Sequence, residues 1–403
     1  MVLSKNNNVF IKKNNHIEVG IEAIGFYTSN AVLKLSELAK NNHYSEEKYS
    51  IGIEQDSMSV ITLSEDIITM AYCASIECLK KADKQKIDMI LFATESCIDN
   101  SNSSACELHS LLKLKNNCRC LEIKHACYGG TGALMLAKNY IANNSCKKAL
   151  VVMSDVAFYG LKTKGEPTQG CGAIAILISS EPKIALFNND NVYQVFNEKD
   201  FYRPTYSITP LYDGHLSIKN YINMFKNTLA KYNENGNYFD FLISHMPFSK
   251  MLDKCCKVAK IDVNLNKNSI TKMYSKTIGN TYTASLYIGF LSLLENNKDD
   301  LTGKKIGLFS YGSGSECELF SVTILQNYKN YLNQSKHEML LKDRKIIDYN
   351  VYCKLLNNFE FREKQVNWLL NDKSNINIKS GNQLIKLCQI KNGIRFYKKI
   401  FCN

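Results

Sequence analysis

The segment from Cys120 to Met135, Cys-Leu-Glu-Ile-Lys-His-Ala-Cys-Tyr-Gly-Gly-Thr-Gly-Ala-Leu-Met, constrains the fold of this chain more than any other. Residues 121–124 read as extended, Ala-Cys and two glycines follow, and the apolar, alanine-rich run 133–141 reads as a helix. Strand, tight turn and helix in succession put Cys127 at a strand-to-helix corner. A thiol there faces the helix's unpaired N–H groups and positive dipole end, which favour thiolate over thiol. Gly129 and Gly130 leave no side chains to obstruct a substrate. These features mark Cys127 as a candidate nucleophile, set against the common use of cysteine as a small buried hydrophobe in a chain that holds fifteen of them.

Strand and helix patterns alternate on both sides of this corner. Strands are expected at 19–26, 89–94, 149–154 and 173–178, and helices at 33–39, 64–82 (opened by Ser64 and Glu65), 104–112 and 130–143. The alternation resumes after an Asn/Asp-rich connection, with helices at 216–232, 249–260 and 283–294 and strands at 241–244, 305–310 and 317–324. Such alternation predicts βαβ units and a mostly parallel sheet. Two successive α/β halves of similar size predict a duplicated fold. The expected division is a poorly ordered leader at 1–18, one half at 19–182, a second at 183–330, and an extension at 331–403 made of helices and a final strand packed on the body. With 403 residues, 45% of them hydrophobic, the chain can bury the core of one large or two fused domains.

Composition narrows the function classes. No run approaches the ~18 apolar residues of a membrane span, so no membrane partner is expected. The Asn/Lys-rich leader lacks a signal peptide's apolar core. Fifteen cysteines is an odd number without CxxC pairs or dense disulfide spacing, which predicts a reducing, cytoplasmic setting and no metal site. The formal charge of +12 suits a nucleic acid or a multiply phosphorylated small ligand. No nucleic-acid-binding signature accompanies it, so no nucleic-acid partner is expected.

Ligand chemistry in α/β sheets gathers beyond the carboxyl ends of strands. Glu95, Cys127 and His245 all fall there. A thiol, a carboxylate and an imidazole form a set for covalent acyl chemistry with proton transfer, or for a Cys-His hydrolase. Glu95 reads equally as a capping or salt-bridged carboxylate, and His245, before Pro247, as a structural histidine. Two glycine-bearing stretches, Gly165-Glu-Pro-Thr-Gln-Gly-Cys-Gly-Ala173 and Ser310-Tyr-Gly-Ser-Gly-Ser315, let backbone approach a ligand and offer N–H groups to an oxyanion. Lys250 and Lys254, four apart on one helix face, suit a phosphate-bearing substrate or form an ordinary solvated face.

Taken together, Gly52-Ile-Glu-Gln55, Ala93-Thr-Glu-Ser96, Ala126-Cys-Tyr-Gly-Gly-Thr131, Gly165-Glu-Pro-Thr-Gln-Gly170, His245-Met-Pro-Phe248, Gly279-Asn-Thr-Tyr282, Ser285-Leu-Tyr287 and Gly307-Leu-Phe-Ser-Tyr-Gly-Ser-Gly314 resemble the 3-hydroxy-3-methylglutaryl-CoA synthases of the thiolase superfamily. The resemblance runs from residue 19 to about 333 and more faintly to 397. It implies a duplicated, layered αβαβα fold, a symmetric homodimer, and no cofactor, CoA thioesters being the substrates. It further implies that Cys127 takes the acetyl group of acetyl-CoA, that Glu95 draws a proton from the acetyl methyl, and that His245 positions acetoacetyl-CoA and helps protonate the new alkoxide. Hydrolysis then frees the product.

The same resemblance implies acyl-site roles for Tyr159, Asn280 and Ser313, and CoA phosphate contacts for Lys250 and Lys254. The Cys127 N–H and the Gly312-Ser313 turn are placed to steady an enolate oxygen, a contribution of about 3 kcal/mol per donor. His125 departs from the acid or amide expected there; it either tunes the thiol or is packed. A close rival keeps this chemistry but changes the partner: a β-branching synthase of polyketide assembly, which condenses on an acyl carrier protein; Lys250 and Lys254 lean towards free CoA. A catalytically silent scaffold of the same fold stands as the alternative from another class.

Overall fold

The computed structural model describes residues 17–261, 265–370 and 382–400. The expected leader therefore lies almost wholly outside the described residues. Ten strands form the main sheet: β1 (Gly20–Thr28), β2 (Ile87–Ala93), β3 (Arg119–Ile123), β4 (Lys148–Ala157), β5 (Gly170–Ser179), β6 (Ala185–Phe187), β7 (Val192–Val195), β8 (Phe241–Ser244), β9 (Lys305–Gly312) and β10 (Glu316–Ile324). Their spatial order is β8-β9-β10-β6-β1-β5-β4-β2-β3, with β7 also paired to β10.

The sheet is mixed, not mostly parallel. Only β2/β3, β2/β4 and β8/β9 are parallel pairs. The connection between β9 and β10, residues 313–315, is too short for a helical crossover, and that between β4 and β5 holds only the short turn Glu166–Thr168, and both pairs are antiparallel. Duplication is visible in this pairing. In the first half a parallel pair, β2/β4, is followed by antiparallel β4/β5 and β5/β1. In the second, parallel β8/β9 is followed by antiparallel β9/β10 and β10/β6. Helices Ile67–Cys78 and Gly129–Ala142 precede β2 and β4, as helices Gly214–Glu234 and Ser285–Asn296 precede β8 and β9.

β4 and β5 are buried along their whole length, which is why they read as continuous apolar runs. The helix expected to open at Ser64 and Glu65 starts two residues later. Asp66 caps it, accepting from Thr69 N at 2.9 Å while Thr69 Oγ1 accepts from Asp66 N at 2.8 Å. Helices Gly129–Ala142 and Ser285–Asn296 meet at their N-terminal turns through a 2.5 Å bond between the Thr131 and Tyr287 hydroxyls. No helix among the described residues is long and apolar enough to cross a membrane.

The C-terminal extension ends in a three-stranded antiparallel sheet (Trp368–Leu369, Ile385–Lys391, Ile394–Lys399) where a single final strand was expected. Alternating charged residues masked its period-two pattern. Arg395 Nη1 and Tyr397 Oη dock this sheet on Asp66 at 3.0 and 2.8 Å. A second anchor is His337, 1% exposed on the helix Gln334–Lys342. Its Nδ1 lies 2.9 Å from Glu295 Oε1 and its Nε2 2.9 Å from Glu77 Oε1, so one ring ties the extension to a helix from each half.

The two carboxylates outweigh burial and push the His337 imidazole up to about 9. A pKa raised on folding stabilises fully below the unfolded value of about 6.5 and ceases to do so as pH rises through the folded one. The melting temperature is expected to fall between neutral pH and about 10, and scanning calorimetry of His337→Leu is expected to show that fall blunted. At neutral pH the same substitution leaves the buried Glu295 without a cation, while Glu77 keeps Lys336 at 2.8 Å, and costs about 3–5 kcal/mol.

Candidate active site

β2 and β3 lie side by side and parallel with Ala93 opposite Ile123, so both chains leave the sheet at the same edge. Glu95 follows the first and Cys127 the second. Ala126 takes a left-handed conformation (φ 41°), and the Gly129 N–H closes the corner on the His125 and Ala126 carbonyls at 3.1 and 3.2 Å. Cys127 Sγ thereby reaches Glu95 Oε1 at 2.8 Å, the thiol donating to the carboxylate.

The expected thiolate is not what this environment favours. Burial and the adjacent Glu95 charge, with Asp155 behind it, push the Cys127 thiol well above the ordinary range. The carboxylate at contact distance outweighs the helix terminus. Glu95 is itself pushed up to about 8, first by burial and then by Asp155, against weaker lowering by Cys127 and Arg203. A carboxyl titrating near neutrality beside a protonated thiol can take a proton at working pH.

Asp155 was not singled out from the sequence. Its Oδ1 accepts from Thr94 Oγ1 (2.8 Å), Glu95 N (2.7 Å), Ser96 N (3.1 Å) and Ser96 Oγ (2.9 Å), and its Oδ2 from Thr283 Oγ1 (2.5 Å) and Thr283 N (3.1 Å). One buried carboxyl thus fixes the backbone of Glu95 and the start of the helix that leads from Thr283. The signal available was an acid near the end of an apolar strand.

His245 follows β8 and is buried, its N–H bonded to Phe309 O at 2.8 Å and its carbonyl to Tyr221 Oη at 2.6 Å. Burial lowers the imidazole to about 3, so the ring is neutral. Cys127 and His245 line one cleft of about 640 Å³, together with Tyr159, Asn280, Ser313 and Lys254. Tyr159 belongs to an aromatic wall, its ring edge-on to Phe201, Tyr212 and Tyr282 at 5.3–6.2 Å, which sequence reasoning missed because the four tyrosine and phenylalanine residues are far apart in the chain. Gln55, from the first of the motifs, holds the Ser275 and Lys276 carbonyls at 2.8 and 2.9 Å and so supports the segment that carries Asn280.

Four expected residues do not line the cleft, and one of them is Glu95, 6% exposed and in contact with Cys127. Gly312 does not line the cleft; it packs behind the nucleophile, where a Cβ would lie 2.7 Å from Tyr128 N. Lys250 precedes the helix Met251–Ala259 and turns its Nζ to Ile51 O at 2.7 Å, at the cleft's outer side. Lys254 faces the cleft, its pKa lowered by burial and by Lys250. His125 points away from the cleft, with Nε2 3.6 Å from Glu316 Oε2.

The glycines also act differently from expectation. At Gly130 a Cβ would meet Thr283 O at 2.8 Å, and at Gly170 it would meet Ile278 O at 2.5 Å. Both positions permit backbone to pack on backbone rather than open a path for substrate.

Comparison with known proteins bears directly on this geometry. Residues 15–183 match the family model for the hydroxymethylglutaryl-coenzyme A synthase N terminal region, and residues 255–386 that for its C terminal region. A hydroxymethylglutaryl-CoA synthase of Enterococcus faecalis is 40% identical over 338 residues, 81% of this chain and 88% of the relative. The chain belongs to the hydroxymethylglutaryl-CoA synthase family. A solved hydroxymethylglutaryl-CoA synthase complexed with CoA superposes with a TM-score of 0.88 at 34% identity, over 95% of this chain and 100% of the other. A polyketide-biosynthesis 3-hydroxy-3-methylglutaryl-ACP synthase of Bacillus subtilis is 30% identical, over 76% of this chain and 80% of its own. The fold is therefore thiolase-like, and the chain is an acyl-transferring condensing enzyme of the hydroxymethylglutaryl-CoA synthase type.

If the Glu95 charge holds the thiol protonated, removing it frees the thiolate. In Glu95→Gln the midpoint of iodoacetamide alkylation at Cys127, followed by peptide mapping against pH, is expected to move to lower pH by about 1–3 pH units, the effect of a like charge at this range.

Proposed function

We propose that the chain condenses acetyl-CoA with acetoacetyl-CoA and hydrolyses the acyl-enzyme to give 3-hydroxy-3-methylglutaryl-CoA and CoA, in the mevalonate route to isoprenoid precursors. The observation that carries this reading is the 2.8 Å contact between buried Glu95 and Cys127, whose thiol lines a cleft shared with a neutral His245. Cys127 Sγ attacks the acetyl carbonyl carbon as its proton passes to Glu95, and the departing CoA sulfur takes up a proton. Glu95, again a carboxylate, removes a proton from the methyl of the enzyme-bound acetyl group. The carbon nucleophile so formed adds to the ketone of acetoacetyl-CoA. The uncharged His245 ring hydrogen-bonds that ketone oxygen and assists its protonation as charge develops there. Water then cleaves the Cys127 thioester, leaving the product carboxylate and the free thiol.

Tyr159, Asn280 and Ser313 shape the acyl site in this scheme, and Lys254 with Lys250 behind it receives CoA phosphates. Gly312 supports the nucleophile's corner. No cofactor is needed, since the thioesters are the substrates. The relative that acts on an acyl carrier protein makes carrier-bound acetoacetate the competing second substrate. The scarcity of disulfide-like cysteine spacing supports a cytoplasmic setting.

We infer that the enzyme works as a homodimer through the face around β3. This strand ends the sheet with an unpaired edge, and Leu121 on it, Leu136 on the helix Gly129–Ala142, Tyr193 and Val195 are all largely exposed. Bonds from Tyr128 Oη to Glu318 at 2.8 Å and from Lys138 Nζ to Asn188 O at 2.9 Å tie the helix to β10 and to the segment before β7, and His125, after β3, lies 3.6 Å from Glu316 on β10.

Mass spectrometry after brief exposure to acetyl-CoA is expected to find one acetyl group on the Cys127 peptide, absent in Cys127→Ala. Glu95→Ala is expected to label yet lose about 10²–10⁴-fold in condensation, and normal condensation by that variant would reassign the base. In the wild type the condensation rate is expected to rise with pH and level off above about 8. Turnover of carrier-bound acetoacetate but not of acetoacetyl-CoA would transfer the proposal to the carrier-dependent reaction. Sedimentation equilibrium is expected to give twice the chain mass, falling towards monomer in Leu121→Asp/Leu136→Asp.

A further inference from the structure

Three arginines in this chain are withdrawn from solvent, and two have acids beside them. Arg362 pairs with Glu363, and Arg395 with Glu363 and Asp66. Arg344, 8% exposed, has no carboxylate within ion-pair distance among the described residues. Its Nε donates to Leu341 O at 3.1 Å, and its Nη1 to Ser59 Oγ and Thr277 O at 2.9 Å each. All three acceptors are neutral, and Nη2 makes no hydrogen bond. The guanidinium plane is therefore fixed by neutral acceptors with no acid matching its charge, while Nη2 stays open to solvent rather than sealed in the interior. Burial alone lowers its pKa to about 10, with no acid opposing.

Arg344 lines a groove of about 420 Å³ between the strand Ala31–Lys34, the Met273–Thr277 segment and the C-terminal extension. Lys34 and Lys342 line the same groove, and neither makes an ion pair among the described residues. Its single acid is Glu338, exposed at the rim and engaged by Gln334 Nε2 at 2.8 Å. The remaining wall is mixed: Val32, Met273, Leu341 and Ile346 form an apolar flank, with Met273 46% and Ile346 62% exposed, and Ser57, Tyr274, Thr277 and Asn296 are polar. Three cations against one acid, with an apolar flank, suit an anionic head carrying a short hydrocarbon body.

We propose that the groove at Arg344 binds a small organic oxyanion, a phosphate or carboxylate bearing a short apolar substituent, at a site separate from the catalytic cleft. Occupancy bears on catalysis through Thr277. The carbonyl that accepts from Arg344 also accepts from Ser57 Oγ at 3.1 Å, and two residues further on the chain enters Gly279–Tyr282, which brings Asn280 and Tyr282 to the acyl site.

Isothermal titration calorimetry of the full chain with hexyl phosphate and with hexanoate, each with and without saturating CoA, tests this. The expected result is a saturable heat that persists when CoA fills the cleft, and the tighter of the two probes identifies the headgroup. Lys34→Gln/Lys342→Gln, at two exposed positions that leave packing intact, is expected to weaken that binding about tenfold. Absence of saturable heat up to about 10 mM of either probe, heat abolished by CoA, or equal affinity in the double variant would each overturn the proposal.

Discussion

The site depends on one contact between a sulfur and a carboxyl oxygen, and that contact depends on strand order. β2 and β3 are neighbours and parallel, so the residues after Ala93 and Ile123 emerge together. Had the pair been antiparallel, Glu95 and Cys127 would lie at opposite edges of the sheet. β4, on the other side of β2, contributes Asp155, which accepts from the Glu95 N–H and from Thr283. The first half therefore supplies the thiol, the carboxyl beside it and the brace for that carboxyl from three adjacent strands. The second half brings His245 and Ser313 to the facing wall.

Two buried clusters of acids in this molecule behave oppositely because only one has a cation among them. Glu77 and Glu295 share His337, which becomes more basic than a free imidazole and joins three segments of the chain. Glu95 and Asp155 have no ion-paired cation, and Arg203 acts on Glu95 only more weakly. Their mutual repulsion and desolvation are relieved by holding a proton, which leaves Glu95 poised near neutrality. The same residue type is thus held ionised in one place and pushed towards its protonated form in the other. Burial is common to both, and the neighbouring charge decides.

Much of this was legible in the sequence, and the limits have physical causes. Cys127 could be found because a nucleophile at a strand-to-helix corner needs neighbouring residues in a local pattern, and Glu95 and His245 because each directly follows an apolar run. The helix Ser104–Leu112 and the strand Phe241–Ser244 fall where their patterns put them. Strand direction could not be read: nothing local in β5 or β10 records that they run against their neighbours, because that is set by the length of the connection and the packing of the halves. The charge state of Cys127 was misjudged for a similar reason. The helix terminus is local in sequence, whereas Glu95 is 32 residues away. Asp155 and the aromatic wall were missed because their roles exist only through contacts across the sheet.

The glycines explain why the cleft lies where it does. Close approaches at Gly130 to Thr283, at Gly170 to Ile278 and Asn280, at Gly279 to Gln169 and at Gly312 to Tyr128 all bring a segment of one half against a segment of the other. At each, a Cβ would stand within 3 Å of backbone, a distance that backbone relieves only by moving apart. Gly279 also has φ of 86°, so a side chain there meets strain as well as crowding. None of the four glycines lines the cleft; the seam they close runs behind it, and neighbouring residues such as Thr168, Asn280 and Tyr282 form its wall. Glycine-rich motifs that look like ligand loops in the sequence thus shape the site at one remove. They govern how closely two duplicated halves can pack, and the cleft is the space left where the packing stops.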